Sequence, residues 1–176
     1  MESKAKAFGH AIHPIMIVFP LGLLSTAAIF DVLYLITVNT TFSIVSFWMI
    51  VAGLIGGLVA ALFGFIDFLG IPSGTRAKRI GIYHAVVNVI AMILFAMSVL
   101  LRWDRPDAPE TLAFVCSFAG FLISQLGGWF GGELVERLGV GVSPEANLNA
   151  PNSLTHGKVF EMDVRQQDLR STAQGR

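Results

Sequence analysis

FGHAIHPIMIVFP, residues 8–20, opens the apolar part of the chain and determines how the rest is interpreted. It places two histidines, His10 and His13, at the start of a long apolar run. Pro14 follows directly, and Pro20 lies inside the run, where it predicts a kink or an additional hydrogen bond in a helix. A histidine at the edge of a membrane span is costly unless it is paired or ligated. We therefore ask which other polar residues reach this place.

The composition is that of a membrane protein. Hydrophobic residues make up 54% of the 176 residues and charged residues only 14%, whereas about a quarter of a soluble domain is charged. Twelve basic and twelve acidic residues cancel, and no basic block is present, which excludes nucleic acid as a partner and leaves the lipid bilayer. Cys116 is the single cysteine, so the chain can form no internal disulfide and hold no iron–sulfur cluster of its own.

Four apolar runs are long enough to cross a membrane, at residues 14–36, 44–69, 80–101 and 112–135. Because the runs are continuous rather than alternating, they predict helices. The connections between them are short, and short connections make consecutive helices antiparallel neighbours. We predict an all-α polytopic membrane protein with four antiparallel transmembrane helices in an up-down-up-down bundle. The first run is longer than a signal-peptide core, so we interpret it as a retained span.

Basic residues predict the orientation of these helices. Five of them lie on the side of the N-terminus and the second connection, and two lie in the third connection: Lys4, Lys6, Arg76, Lys78 and Arg79, against Arg102 and Arg105. The positive-inside rule therefore places both termini in the cytoplasm, in a bacterial inner membrane.

The chain is expected to contain one folded domain and a tail. Residues 1–139 form the four-helix transmembrane domain. Residues 140–176 are polar and contain few large apolar residues, so they form a cytoplasmic tail, extended or docked on a partner, with His156 solvated. No segment of the sequence repeats.

Small residues form seams on two of the predicted helices. The second helix carries Gly53, Gly57, Ala60 and Gly64 on the face that ends in Asp67, and the fourth carries Gly120, Ser124, Gly128 and Gly132. Such seams let helix backbones approach closely in lipid. A cofactor protein would turn its seams inward and leave a slot between histidines, whereas a protein that binds partner helices would turn them outward.

Helix depth brings several polar residues to one level near the cytoplasmic side: His10, His13, Asp67, His84 and Glu133. Three interpretations of this set compete. His13 and His84 can be the two axial ligands of a b-type haem, with the basic loop 76–79 at its propionates. Alternatively, His13, His84 and Asp67, alone or with Glu133 or His10, can bind non-haem Fe or Zn, because two histidines and a carboxylate suit these metals. In the third, Asp67 accepts hydrogen bonds from a histidine and only locks the bundle.

Two further polar residues are assigned structural roles and no part in the candidate site. Asp31 lies near the opposite end of the first helix, where we expect it to cap or pair rather than to transport. Gln125 lies in the middle of the fourth helix, where it can bond across to Asn88.

Four motifs resemble those of an uncharacterised family of bacterial four-helix membrane proteins, catalogued as a domain of unknown function. They are GHAIHPIMIVFPLGLL with Asp31, ALFGFIDFL, YHAVVNVI and GGWFGGELVERLGVGV, and together they cover about residues 9 to 142. The interval from Pro14 to Pro20 is one residue shorter than in that family. By this resemblance His13, Asp67, His84 and Asn88 are the carried-over site positions, while His10 and Glu133 depend on helix depth alone.

Some members of that family are joined to Rieske-type iron–sulfur domains, so the resemblance implies a redox neighbourhood and redox proteins as partners. We therefore expect a redox-associated membrane subunit or small b-type cytochrome that carries electrons, with haem or metal held near the cytoplasmic end by the residues above, Asn88 included. The alternative is a structural or assembly subunit that docks onto other membrane subunits without a cofactor. An enzyme ranks third, because the sequence shows neither an open ligand position nor a substrate pocket.

Overall fold

Four long helices dominate the computed structural model, which describes residues 1–154. Each is long and apolar enough to cross a membrane: Ile12–Thr37, Thr40–Leu69, Arg76–Arg102 and Thr111–Arg137. The predicted all-α polytopic architecture is confirmed, and each predicted span agrees with the structure to within about four residues. Most of the predicted tail, including His156, lies outside the described residues.

Short elements precede and follow these spans. In chain order the structure contains β1 (Lys6–Ala7), β2 (His10–Ala11), α1 (Ile12–Met16), α2 (Val18–Thr37), α3 (Thr40–Leu69), α4 (Arg76–Arg102), α5 (Thr111–Gly132) and a final π-helical turn (Glu133–Arg137). The two strands pair antiparallel and lead directly into α1. They form an N-terminal segment at the same end of the bundle as His13.

Pro20 interrupts the first span as the sequence predicts. α1 ends at Met16 and α2 begins at Val18, with Ile17 between them. The ring nitrogen of Pro20 carries no hydrogen and cannot donate to the carbonyl one turn earlier. Backbone bonds on either side bridge the interruption, from Ile17 to His13 at 3.0 Å and from Leu21 to Ile17 at 3.1 Å.

The helices pair as two hairpins. Hairpin 1 comprises α1, α2 and α3, and hairpin 2 comprises α4 and α5; contacts within each are far more extensive than contacts between them. Asn39 begins α3 by accepting a bond from the Thr41 amide, and Thr75 begins α4 by accepting one from Lys78. These short capped connections give the antiparallel order within and between hairpins.

The two hairpins bury equivalent positions, although their residue types differ. The five buried residues of α2 and their counterparts 71 positions later in α4 are Pro20 and Ala91, Leu24 and Phe95, Ala27 and Ser98, Ala28 and Val99, Asp31 and Arg102. In α3 and α5 a shift of 67 positions relates Ser46 and Ala113, Phe47 and Phe114, Ile50 and Ser117, Gly53 and Gly120, Ala60 and Gly127. The expectation that nothing repeats is therefore wrong for the burial pattern.

Contacts between the hairpins identify the relation as a two-fold axis. In a two-fold arrangement a residue meets its own equivalent only where it lies on the axis. His13 contacts His84 at one end, and Asp31 contacts Arg102 at the other. Both pairs consist of equivalent positions, so a pseudo-two-fold axis runs along the bundle through both. Parallel repeats about an axis along the membrane normal are a known plan for membrane proteins.

Candidate functional site

His13 and His84 are held in the same way by their own hairpins. Nδ1 of His13 lies 2.8 Å from the carbonyl oxygen of Ala60, and Nδ1 of His84 lies 2.9 Å from that of Gly127. Ala60 and Gly127 are equivalent positions of α3 and α5. Each imidazole is thus bonded to the carbonyl of the neighbouring helix in its hairpin.

A carbonyl oxygen can only accept, so Nδ1 of each ring carries the proton and donates it. In the neutral imidazole, Nε2 then keeps its lone pair as an acceptor or metal ligand. Metal-binding histidines in proteins commonly donate their other ring N–H to a carbonyl or carboxylate, which orients the ring. Both rings have this arrangement.

The two rings meet on the pseudo-two-fold axis. Their centroids are 6.4 Å apart and their planes are almost perpendicular, at 88°. Both residues are half-buried, so neither is fully exposed to water and neither is fully enclosed by the protein. The structure therefore brings together the two histidines that the sequence selected as axial ligands.

Small residues on the neighbouring helices leave the space that the two histidine rings occupy. A side chain at Gly64 would meet the His13 ring at 2.8 Å, and one at Gly131 would meet the His84 ring at 3.2 Å. Asn88 packs beside His84 and donates from Nδ2 to the His84 carbonyl at 2.8 Å. The α3 seam turns inward at three glycines: Gly64 faces the His13 ring, Gly57 faces Met92, and Gly53 faces the Leu24 side chain.

The α5 seam differs from the one that the sequence predicts. Gly120 faces inward against Phe95, but space is open beside Gly128 and Gly132. The inward glycines at the level of His84 are Gly127 and Gly131. Gln125 also does not reach Asn88: it is exposed, and its amide donates to the Phe121 carbonyl and to Ser124 in the same helix.

Asp67 binds the N-terminal segment instead of a histidine. Its carboxylate accepts from the Ser3 hydroxyl at 2.8 Å, the Lys4 amide at 2.7 Å and the Ala5 amide at 3.1 Å. The expectation that Asp67 accepts from a histidine is therefore wrong. The carboxylate anchors residues 3–5 over the end of α3, and Glu2 also pairs with Gly141.

The remaining members of the predicted metal set lie apart from the pair. His10 is exposed and its Nδ1 bonds the Phe8 carbonyl, while Glu133 forms an ion pair with Arg76 at 2.5 Å. Within residues 1–154, no group of three or more His, Cys, Asp or Glu side chains is arranged to hold a metal ion. The geometry of these residues thus favours a two-imidazole site over a site with carboxylate ligands.

A second polar site lies at the opposite end of the axis, and the sequence predicted only one of its two charged residues. Asp31 pairs as predicted, but its partner is Arg102, with oxygen–nitrogen distances of 2.6 and 2.7 Å, and both side chains are fully buried. Nε of Arg102 also donates to Ser98 at 3.1 Å, and its Nη1 lies 3.3 Å from Ser46. The signal available in the sequence was spacing, since Asp31 and Arg102 are separated by the same interval as His13 and His84.

The prediction that Arg102 belongs to the third connection is wrong. Arg102 is the last residue of α4, and its side chain is fully buried. Only Arg105 then remains as a basic loop residue on that side, so the charge asymmetry that predicts cytoplasmic termini is larger than first counted.

A family model described as "Predicted membrane protein (DUF2231)" matches residues 9–144. No curated protein and no solved structure matches the chain.

Proposed function

Since the chain belongs to the DUF2231 family of predicted membrane proteins, we propose that it is a redox-associated membrane subunit that binds a b-type haem through His13 and His84. These two histidines lie on the pseudo-two-fold axis and are held in the same way by their own hairpins. The observation that supports this is the matched pair of Nδ1–carbonyl bonds, which leaves two Nε2 lone pairs at one level of the bundle. Two axial imidazoles are a complete protein ligand set for such a haem, which needs no cysteine.

The ring separation is compatible with shared ligation of one ion. Consider two imidazoles that bind opposite sides of one ion through metal–nitrogen bonds of about 2 Å each. When the distance from each bound nitrogen to its ring centre is added, the two ring centroids lie roughly 6 Å apart. The measured separation is 6.4 Å. The fit requires one nitrogen from each hairpin and no third protein ligand, in accord with the dispersed positions of Asp67, Glu133 and His10.

The chain's own residues would orient the ligands and limit access of water. The Ala60 and Gly127 carbonyls hold each ring in one tautomer, and Asn88 packs against His84. Half-burial in an apolar bundle lowers the local dielectric, which together with these carbonyl bonds would tune the redox potential of a bound haem. The haem, when bound, supplies one-electron transfer.

The basic residues after hairpin 1 offer a place for acidic haem substituents. Arg76 is engaged by Glu133, and Lys78 donates to the Phe68 carbonyl at 2.8 Å and lies over the Phe68 ring. Arg79 is exposed beside them, so we assign it the role of holding a propionate. We further place the protein in a bacterial inner membrane with both termini, and the tail 140–176, in the cytoplasm.

The test is the absorption spectrum of the full chain purified in detergent, oxidised and then reduced with dithionite. The proposal expects a Soret band and sharp reduced bands, lost in His13→Ala and in His84→Ala and kept in His156→Ala and His10→Ala. Equal loss in all four variants, or a flat spectrum after expression with excess haem precursor, would refute it.

A structural or assembly subunit is the second candidate, and one observation favours it. Gly128 and Gly132 leave open space on the outer face of α5, where a partner helix could approach closely. This candidate predicts a colourless protein in which bulky residues at Gly128 abolish assembly with other membrane subunits.

A further inference from the structure

From the internal two-fold relation we infer that Asp31 and Arg102 form a positioning pair: they select association of hairpin 1 with hairpin 2 of the same chain, and so bring His13 to His84. The haem-related readout of this inference rests on the proposed function. The pairing itself does not.

The selection problem follows from the matched faces. Most buried positions of one hairpin have a buried equivalent in the other, so the inward faces share one backbone pattern, although side chains such as Ile50 and Ser117 differ in size. A surface that fits its own pseudo-equivalent also suits a second copy of itself, which is the basis of two-fold association. Hairpin 1 can therefore in principle pair with hairpin 1 of another copy, and hairpin 2 with hairpin 2.

The histidines cannot discriminate among these pairings. Because His13 and His84 lie on the axis at equivalent positions, every pairing brings two imidazoles together. The glycines that receive the rings, Gly64 and Gly131, are also the same in both hairpins. Specificity must come from positions where the two hairpins differ, and on the axis itself these are positions 31 and 102.

Positions 31 and 102 carry side chains of opposite charge. A homotypic pair would place two aspartates or two arginines in contact on the axis, fully buried, and like charges at such a site cannot be neutralised by water. Only the heterotypic pair gives the bidentate contact with Nη1 and Nη2 at 2.6 and 2.7 Å. Buried ionic pairs are best attested as devices that specify register and partner, and repulsion against wrong partners is a recognised route to specificity.

Equivalence also predicts that the charges can be exchanged. An arginine at position 31 would occupy the place related by the axis to that of Arg102. It would lack two partners, because Ser98, which accepts from Nε of Arg102, corresponds to Ala27. Ser46, which lies 3.3 Å from Nη1 of Arg102, corresponds to Ala113. The exchange variant therefore carries four changes, Ala27→Ser, Asp31→Arg, Arg102→Asp and Ala113→Ser.

The experiment uses full-length chains with two different affinity tags, expressed together in one cell and extracted in detergent. Co-purification of the tags measures pairing between copies. The wild type and the exchange variant are expected to give the same low co-purification. The apolar pair Asp31→Leu with Arg102→Met removes the discrimination without leaving a buried charge, so its co-purification should rise at least fivefold.

A complementation experiment still tests the inference if a variant with one reversed charge fails to fold by itself. Asp31→Arg alone, with arginine at both positions, and Arg102→Asp alone, with aspartate at both, should each be degraded. Expressed together they should rescue each other and co-purify, because every contact between the two different chains now joins opposite charges. The inference is overturned if the apolar pair co-purifies no more than the wild type, or if the two reversals do not rescue each other.

The haem readout is kept separate. If the wild type binds haem, the exchange variant should keep its reduced bands, whereas the rescued mixture should recover them only with the co-purified species. A wild-type protein without absorbance refutes the proposed function and leaves the co-purification result to decide the pairing.

Discussion

The two ends of the pseudo-two-fold axis use equivalent positions for opposite purposes. At one end, Asp31 and Arg102 are fully buried and their charges satisfy each other. At the other, His13 and His84 are half-buried, and each ring donates from Nδ1 to a carbonyl, so its Nε2 carries no proton. The Asn88 amide nitrogen lies 3.5 Å from Nε2 of His84. A closed and saturated polar site stabilises or specifies a structure, whereas an anchored site with remaining ligand capacity is suited to bind something.

Removing one charge at the closed end is expected to have the largest effect. Arg102→Ala leaves Asp31 buried without a partner, which should destabilise the protein by about 3–5 kcal/mol. Thermal unfolding in detergent should show it. The matched control is Arg105→Ala, because Arg105 is exposed and lies 3.9 Å from Asp107. Equal loss in the two variants would show that burial of the pair is not the cause.

Two adjacent glycines separate the inside of the histidine end from its outside. A methyl group at Gly127 would overlap Asn88, which is itself bonded to the His84 backbone, whereas one at Gly128 meets nothing. Overpacking of this kind costs about 1–3 kcal/mol, so Gly127→Ala should be less stable than Gly128→Ala by about 2 kcal/mol. Calorimetry in detergent measures the difference, and Gly127→Ala should also weaken any cofactor absorbance. Identical behaviour of the two would place position 127 on the lipid face.

Asp67 tests whether the histidine end depends on the N-terminal segment. Asp67→Asn keeps the shape but removes the charge that draws the Ser3 hydroxyl and two amides. Bonds to a charged group contribute about 1.5–3 kcal/mol, so we expect a loss of about 1–2 kcal/mol, confined mostly to this segment. Hydrogen exchange of the Lys4 and Ala5 amides should quicken while that of α4 stays unchanged. Faster exchange throughout the bundle would contradict this local role.

The smallest effect is expected at Arg76, which pairs with Glu133 at the exposed rim of the histidine end. Its side chain is 53% exposed, and surface pairs contribute about 0–1 kcal/mol. Arg76→Ala should therefore shift the unfolding temperature little, and salt should remove what difference there is. A loss as large as that of Arg102→Ala would mean that the pair is shielded from water.

Much of the fold followed from the sequence because hydrophobic length is a direct physical requirement of a bilayer. Continuous apolar runs predicted the four spans, and Pro20 predicted the interruption of the first. His13 and His84 were found because polar residues in such runs are few. The partner of Asp31 was missed because Arg102 lies at the end of a run, where a basic residue usually marks a loop.

The duplication was missed for a different reason. It is carried mainly by burial, because only a minority of equivalent residues, such as Phe47 and Phe114, are identical, whereas Asp31 corresponds to Arg102 and Ile50 to Ser117. The role of Asp67 was also beyond the sequence, because its partners are a hydroxyl and backbone amides of a segment that no periodicity marks. Main-chain donors are present in every residue and give no signal of their own.

The interval of 71 residues between Asp31 and Arg102 has a consequence for how the protein is made. A chain is synthesised at about 5–20 residues per second, so the aspartate is synthesised roughly 4–14 s before its arginine. During that time hairpin 1 holds an uncompensated acidic group within a span. Synthesis of the end of α4 then supplies the partner of Asp31, so biogenesis should be most vulnerable to quality-control proteases before α4 has been translated.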